Sequence, residues 1–240
     1  MSIHERPTLR ELAVQALSSV QRGYDLLAPK FDATPFRTPE HILDEVLRAV
    51  RPLGPFRDGL DVCCGTGAGI RVLREVCVGR VVGVDFSAGM LSEARSAFPA
   101  TDWIRADVRA MPFTPVFDLA MSFGAFGHFL PKERPGLFAQ VHSALRPGGL
   151  FAFPIGAPAR PGSRPYWAML GFDAAMRVRN AVWSPRFVMY YRTFPLGEVR
   201  DELGRAGFDV ELRPLAGLGR RHDGSPRAVL LVARKRPDGT

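Results

Sequence analysis

The sequence predicts an α/β fold: a doubly wound, mostly parallel sheet with helices on both faces. Three observations carry that expectation. From Leu60 onward, short apolar runs alternate with helix-length segments. The first run, Leu60-Asp61-Val62-Cys63-Cys64, enters a glycine turn, Gly65-Thr66-Gly67-Ala68-Gly69, and a helix-like stretch from Ile70 to Val76 follows it. The second run, Val81-Val82-Gly83-Val84-Asp85, closes on an acid 24 residues after Asp61.

Ahead of the sheet, Leu9, Leu12, Ala13, Ala16, Leu17 and Val20 recur at helical spacing and predict one amphipathic helix. A second helix should start after Thr38-Pro39, with Thr38 as its N-cap, and run to Val50, where Arg51-Pro52-Leu53-Gly54-Pro55 ends it. Strands are expected at 59–63, 80–85, 102–106, 116–122, 149–155, 207–213 and 227–234. The helices between them are expected at 68–77, 87–97, 133–145 and 196–206. Leu145-Arg146-Pro147-Gly148-Gly149 reads as a helix end and turn before the fifth strand. Cys63 is read as the last residue of the first strand, and the tail from Arg236 as loose. Residues 156–195 are too rich in aromatics for a solvated linker, with Tyr166, Trp167, Met169, Leu170, Phe172, Met176 and Trp183. A helix over 165–182 is expected there, as a cap on the edge where open α/β sheets bind ligands, with a dimer interface as the competing use of the same composition.

Composition narrows the function. At 240 residues, 46% of them apolar, the chain suits one domain with additions. No apolar run reaches membrane-spanning length, and the first residues lack a signal peptide's apolar core, so a cytoplasmic location is expected. Three cysteines, Cys63, Cys64 and Cys77, make no disulfide framework, and no His/Cys cluster has metal-site spacing, so no metal is expected. The net charge is +8, with 29 of 32 basic residues Arg. That admits an anionic partner such as RNA, but the arginines are scattered except at Arg220-Arg221 and Arg234-Lys235-Arg236. A nicotinamide- or flavin-binding turn would want a third glycine where Ile70 stands.

The Asp61-to-Gly67 turn resembles the first motif of class I S-adenosylmethionine (SAM)-dependent methyltransferases, an acidic residue followed by Gly-Cys-Gly-x-Gly, with Cys63 where that family most often has Gly. The likeness extends to Asp85-Phe86-Ser87 with Met90-Leu91, to Ala106-Asp107, to Met111-Pro112-Phe113, to Leu145–Gly149, and to Tyr191-Arg192-Thr193-Phe194. Tyr24-Asp25-Leu26-Leu27-Ala28-Pro29-Lys30-Phe31-Asp32 resembles the segment that lies over cofactor and substrate in small-molecule members, such as the ubiquinone/menaquinone methyltransferases. The resemblance implies seven strands with the last one inserted antiparallel. It implies a cofactor site made of Asp61, Cys63, Gly65, Thr66, Gly67, Asp85, Phe86, Met90, Asp107, Val108 and Phe123. Asp85 would accept from ribose hydroxyls, and Asp107 from the adenine amino group. Substrate contacts are expected from Tyr24, Phe31, His128, Tyr166, Trp167 and Arg192, beneath a lid (1–57) and a cap (157–192) flanking a cofactor domain (58–156 with 193–240).

The loop after the fourth strand, Ser122 to His128, narrows the chemistry by what it lacks. It has no Asn-Pro-Pro-Tyr for base amino groups and no Pro-Cys nucleophile, and no Glu stands between Arg95 and Lys132. His128 is the side chain there suited to general-base work at neutral pH. The expected reaction is direct methyl transfer to an apolar or aromatic small molecule. An RNA methyltransferase and a non-catalytic SAM-fold binding protein are the alternatives, and a homodimer is allowed for.

Overall fold

The structure, a computed structural model, describes residues 7–34, 36–183 and 195–237. The N-terminal segment carries α1 (Leu9–Leu17) and α2 (Val20–Leu27), then a 3-10 turn over Ala28–Ala33 and α3 (Glu40–Val50). The expected single helix is broken at Ser18-Ser19. The Ser19 hydroxyl accepts the Arg22 N–H at 3.2 Å and starts a new helix, although the apolar periodicity runs on to Val20. Thr38 is not a cap: Pro39 holds the N-cap position of α3, with no side-chain hydrogen bond.

The sheet follows with β1 (Gly59–Val62), α4 (Ala68–Val76), β2 (Val81–Asp85), α5 (Ala88–Ala97), β3 (Asp102–Arg105), β4 (Phe117–Met121), α6 (Arg134–Ala144), β5 (Leu145–Gly156), α7 (Arg164–Val182), α8 (Leu196–Arg205), β6 (Phe208–Pro214) and β7 (Ala228–Lys235). The strand order is β3-β2-β1-β4-β5-β7-β6, with β1 to β5 parallel and β7 antiparallel to both β5 and β6. Because both faces are covered, the central strands β1, β2 and β4 read as apolar runs, interrupted only by Asp61, Asp85 and Asp118 and by glycines. One face packs Leu60, Val62, Phe151 and Phe153 against α6 and α8. The other packs Leu119, Met121 and Leu150 against α3 and α4. Each such fully buried side chain contributes roughly 1.5–3 kcal/mol of transfer free energy.

Two edges differ from expectation. β5 begins at Leu145, which already pairs with Phe117, and the Pro-Gly-Gly turn is a bulge inside the strand before Leu150 pairs with Leu119. The tail is anchored at Arg236, whose guanidinium donates to the carbonyls of Gly204 and Phe208. Among the described residues no helix is long and apolar enough to cross a membrane.

The chain leaves β1 for β2 and β3 on one side, then returns to β4 and β5 on the other. The carboxyl ends of β1 and β4 therefore bracket the crevice where open α/β sheets take their ligands.

Candidate active site

Four strand ends build the cradle. At the end of β1, Cys63 is not a strand residue: it adopts φ +57°, the left-handed region, and Gly65 (+51°) and Gly67 (+94°) follow it. A side chain in that region costs roughly 1–2 kcal/mol. Cys63→Gly relieves that strain but loses chain stiffness and partly buried surface, so Tm is expected to move by less than about 3 °C. Cys63→Val puts a β-branched residue there and is expected to lower Tm by about 4–8 °C in thermal unfolding. A valine variant as stable as the wild type would show that the turn relaxes freely.

Asp61 is 1% exposed, and neither carboxylate oxygen has a hydrogen-bond partner of ordinary geometry. Burial and then the nearby Asp85 charge push its pKa well up, against a smaller pull from the Gly69 and Ile70 N–H groups at the first turn of α4. Gly69 is there for space: a Cβ would lie 2.6 Å from an Asp61 oxygen and 2.7 Å from the Phe123 ring. Gly65 is open instead, with no atom within 4 Å of where its Cβ would point. A buried carboxyl without a hydrogen bond of ordinary geometry suits a cationic group such as the ammonium of a SAM methionine end, whose approach would favour its ionised form, and the N–H groups at the start of α4 suit that end's carboxylate.

Asp85, at the end of β2, is 6% exposed and accepts the Gly65 N–H at 3.0 Å and the Ser87 N–H at 2.9 Å. Burial raises its pKa, and those N–H groups hold it back. Its remaining lone pairs are able to accept from hydroxyl groups such as those of a ribose. Phe86 is half-buried beside it. Met90 is 2% exposed and belongs to the core, which leaves its thioether chain almost no open surface to offer adenine. At the end of β3, Asp107 is exposed while Val108 is buried. The Asp107 carboxylate is gripped by the Arg109 guanidinium, at 2.9 Å through Nε and 2.6 Å through Nη2, and this pulls its pKa down. Arg109 also reaches Glu133 at 2.7 Å. Sequence reasoning did not single out Arg109.

The N-terminal segment straddles these loops through three contacts. Asp25 accepts the Ser87 hydroxyl at 2.6 Å and the Gly89 N–H at 3.0 Å. Asp32 accepts the Thr66 hydroxyl at 2.7 Å, which ties Thr66 to the N-terminal segment. The Tyr24 hydroxyl meets His128 Nε2 at 2.7 Å, with the two rings edge to face. Asp25 and Asp32 were missed in the sequence, although each follows an aromatic residue in the N-terminal segment. Phe31 lies against Tyr24, with ring centroids 6.0 Å apart.

α7 closes over α2: Met176 is buried with Val20, Tyr24, Phe36 and Phe172, and Arg179 donates to the Ser18 carbonyl at 3.0 Å. Tyr166 is half-buried, but Trp167 lies on the outer side of the helix, 59% exposed, and is not brought to the site. Arg192 lies outside the described residues. None of the cysteines offers a nucleophile: burial pushes Cys63 and Cys64 well up and Cys77 to about 12.

Comparison with known proteins agrees with this geometry. A family model described as a methyltransferase domain matches residues 60–149. The chain is 31% identical over 166 residues to a 2-phytyl-1,4-naphtoquinone methyltransferase of Nostoc punctiforme, covering 63% of this chain and 71% of that protein. It is 40% identical over 117 residues to a trans-aconitate 2-methyltransferase of Azoarcus, in a match that spans only 45% of either protein. A crystallised SAM-dependent methyltransferase from Mesorhizobium loti superposes with a TM-score of 0.55 at 28% identity, over 80% of this chain and all of that one. The chain belongs to the SAM-dependent methyltransferases, and SAM is its cofactor.

Proposed function

We propose that this methyltransferase acts on an apolar or aromatic small molecule carrying a weakly acidic hydroxyl or carbon, held between the N-terminal segment and α7. The observation that carries the reading is the Tyr24–His128 contact of 2.7 Å, between the lid and the exit loop of β4. Beside it, Phe36, Phe172 and Met176 make an apolar wall. The naphthoquinone acceptor in the name of the Nostoc relative supports the same chemistry.

Bound SAM supplies an electrophilic methyl on a sulfonium, a reaction that asks for in-line positioning and a dry site before it asks for a base. The chain's part is to hold the acceptor and take its proton. Tyr24 already occupies His128 Nε2, so the acceptor donates to the Tyr24 oxygen while the Tyr24 proton passes to Nε2. The acceptor ends methylated, Tyr24 is restored, and imidazolium carries the proton to water.

Side chains of the basic clusters also bond within the fold, which supports a small acceptor over RNA. Lys235 is 4% exposed and donates to the carbonyls of His142 and Leu145. Arg234 donates to Gly148, Arg220 to Gly224 and Arg221 to Pro158. No nucleic-acid partner and a cytoplasmic location complete the reading, with a homodimer through α7 as a competing use of that surface.

The test is S-adenosylhomocysteine formation with an alkylated naphthohydroquinol, trans-aconitate and RNA as acceptors. Turnover is expected with the hydroquinol. Turnover confined to RNA or the tricarboxylate would overturn the acceptor class, and SAM binding without turnover on any of them would favour the non-catalytic alternative.

A further inference from the structure

The outward side of α7 is built the wrong way round for a helix that faces water. At 100° per residue, Trp167, Gly171, Ala174, Ala175, Val178, Ala181 and Val182 fall within about a third of the helix circumference. All seven are exposed, with Trp167 at 59%, Val178 at 66% and Val182 at 78%. Trp183, at the C-cap, is 50% exposed. The stripe from Trp167 to Val182 is about 22 Å long at 1.5 Å per residue. Elsewhere on the N-terminal segment, Val14, Leu17 and Leu26 are exposed as well. Monomeric soluble proteins rarely leave so continuous an apolar strip in water.

Charge says what covers it. From 157 to 183 the exposed charged residues are Arg160, Arg164 and Arg177, and the single acid, Asp173, is buried at 2%. Two copies of this stretch face to face would bring arginines against arginines with no exposed acid of their own to pair them. A sheet of negative charge with an apolar interior suits both features, since tryptophan sits at such an interface and arginine holds the headgroups.

We propose that the outward face of α7 seats this enzyme on an anionic lipid bilayer, lying in the interface rather than crossing it. The docking stands on the cap surface alone. Its consequence, that acceptors reach the site from the bilayer, rests additionally on the apolar acceptor proposed above.

The experiment is co-sedimentation of the full chain with vesicles of phosphatidylcholine alone or mixed with phosphatidylglycerol, read also by tryptophan fluorescence. Partitioning into the anionic vesicles is expected to be at least about tenfold stronger than into the neutral ones, and to fall several-fold as salt rises from about 0.1 to about 0.5 M. The Val178→Glu/Val182→Glu double variant should lose about tenfold or more, and Arg164→Glu about fivefold. Both should keep wild-type SAM titrations and thermal midpoints, which separates lost docking from lost folding. Absence of partitioning, equal partitioning of the variants, or a soluble dimer that the double variant dissolves would overturn the proposal. Docking that persists while the hydroquinol proves inert would leave the membrane seat standing and remove only the acceptor.

Discussion

Asp85→Ala is expected to weaken SAM binding at least about a hundredfold in calorimetric titration, with S-adenosylhomocysteine following and NAD binding to neither form. The carboxylate holds the Gly65 and Ser87 N–H groups at 3.0 and 2.9 Å, which ties the β1 turn to the start of α5. Two ribose hydroxyls would donate to its remaining lone pairs, and hydrogen bonds to a charged group are worth about 1.5–3 kcal/mol each. Losing both therefore costs about 3–6 kcal/mol, roughly two to four orders of magnitude in affinity. The truncation also orphans two N–H groups and frees a left-handed glycine, so the loss is not confined to the ligand's own bonds. Asp85→Asn separates these effects. Its amide keeps the volume but must turn an N–H toward one of the two backbone donors, and about a tenfold loss is expected. Wild-type affinity in the alanine variant would mean that SAM is held elsewhere.

Most of the sheet could be read from the chain because a parallel strand buried on both faces has little freedom of composition. Val81–Asp85 and Phe117–Met121 are unbroken apolar runs apart from their acids, and glycines or prolines mark many of their ends. What escaped was decided by contacts distant in sequence or by a single dihedral. The apolar period runs through Ser18-Ser19 without a gap, and only the Ser19 side chain shows that one helix ends and another starts. Cys63 was read as strand because its residue type disfavours positive φ, yet the turn imposes +57° there.

The placement of candidate site residues was legible where a strand end delivers them, as at Asp61 and Asp85. It was less legible where a side chain's partner comes from another segment. Asp25 and Asp32 act on Ser87, Gly89 and Thr66, which stand 34 to 64 residues further along the chain. Tyr166 and Trp167 were grouped by composition. One helical step of 100° separates them into a half-buried and an exposed side chain, so α7 has to be read by period.

His128→Ala is expected to lower kcat by about a hundredfold while SAM affinity stays within about twofold, since a positioned base contributes 10²–10⁴ and touches the proton rather than the cofactor. A second variant decides how the base works. If His128 took the proton directly, Tyr24 would compete for Nε2, and Tyr24→Phe would leave kcat unchanged or raise it. If the proton passes through the Tyr24 oxygen, Tyr24→Phe should lose nearly as much as His128→Ala, and the double variant little more than either alone, because both substitutions break one relay. A purely structural contact predicts another pattern: lower thermal midpoints, raised KM and an unaltered pH–rate profile. The relay predicts an acid limb in kcat that either substitution flattens. A loss of less than about threefold in His128→Ala would show that alignment and desolvation carry the reaction unaided. In that case Tyr24 and His128 would serve only to latch the N-terminal segment over the site.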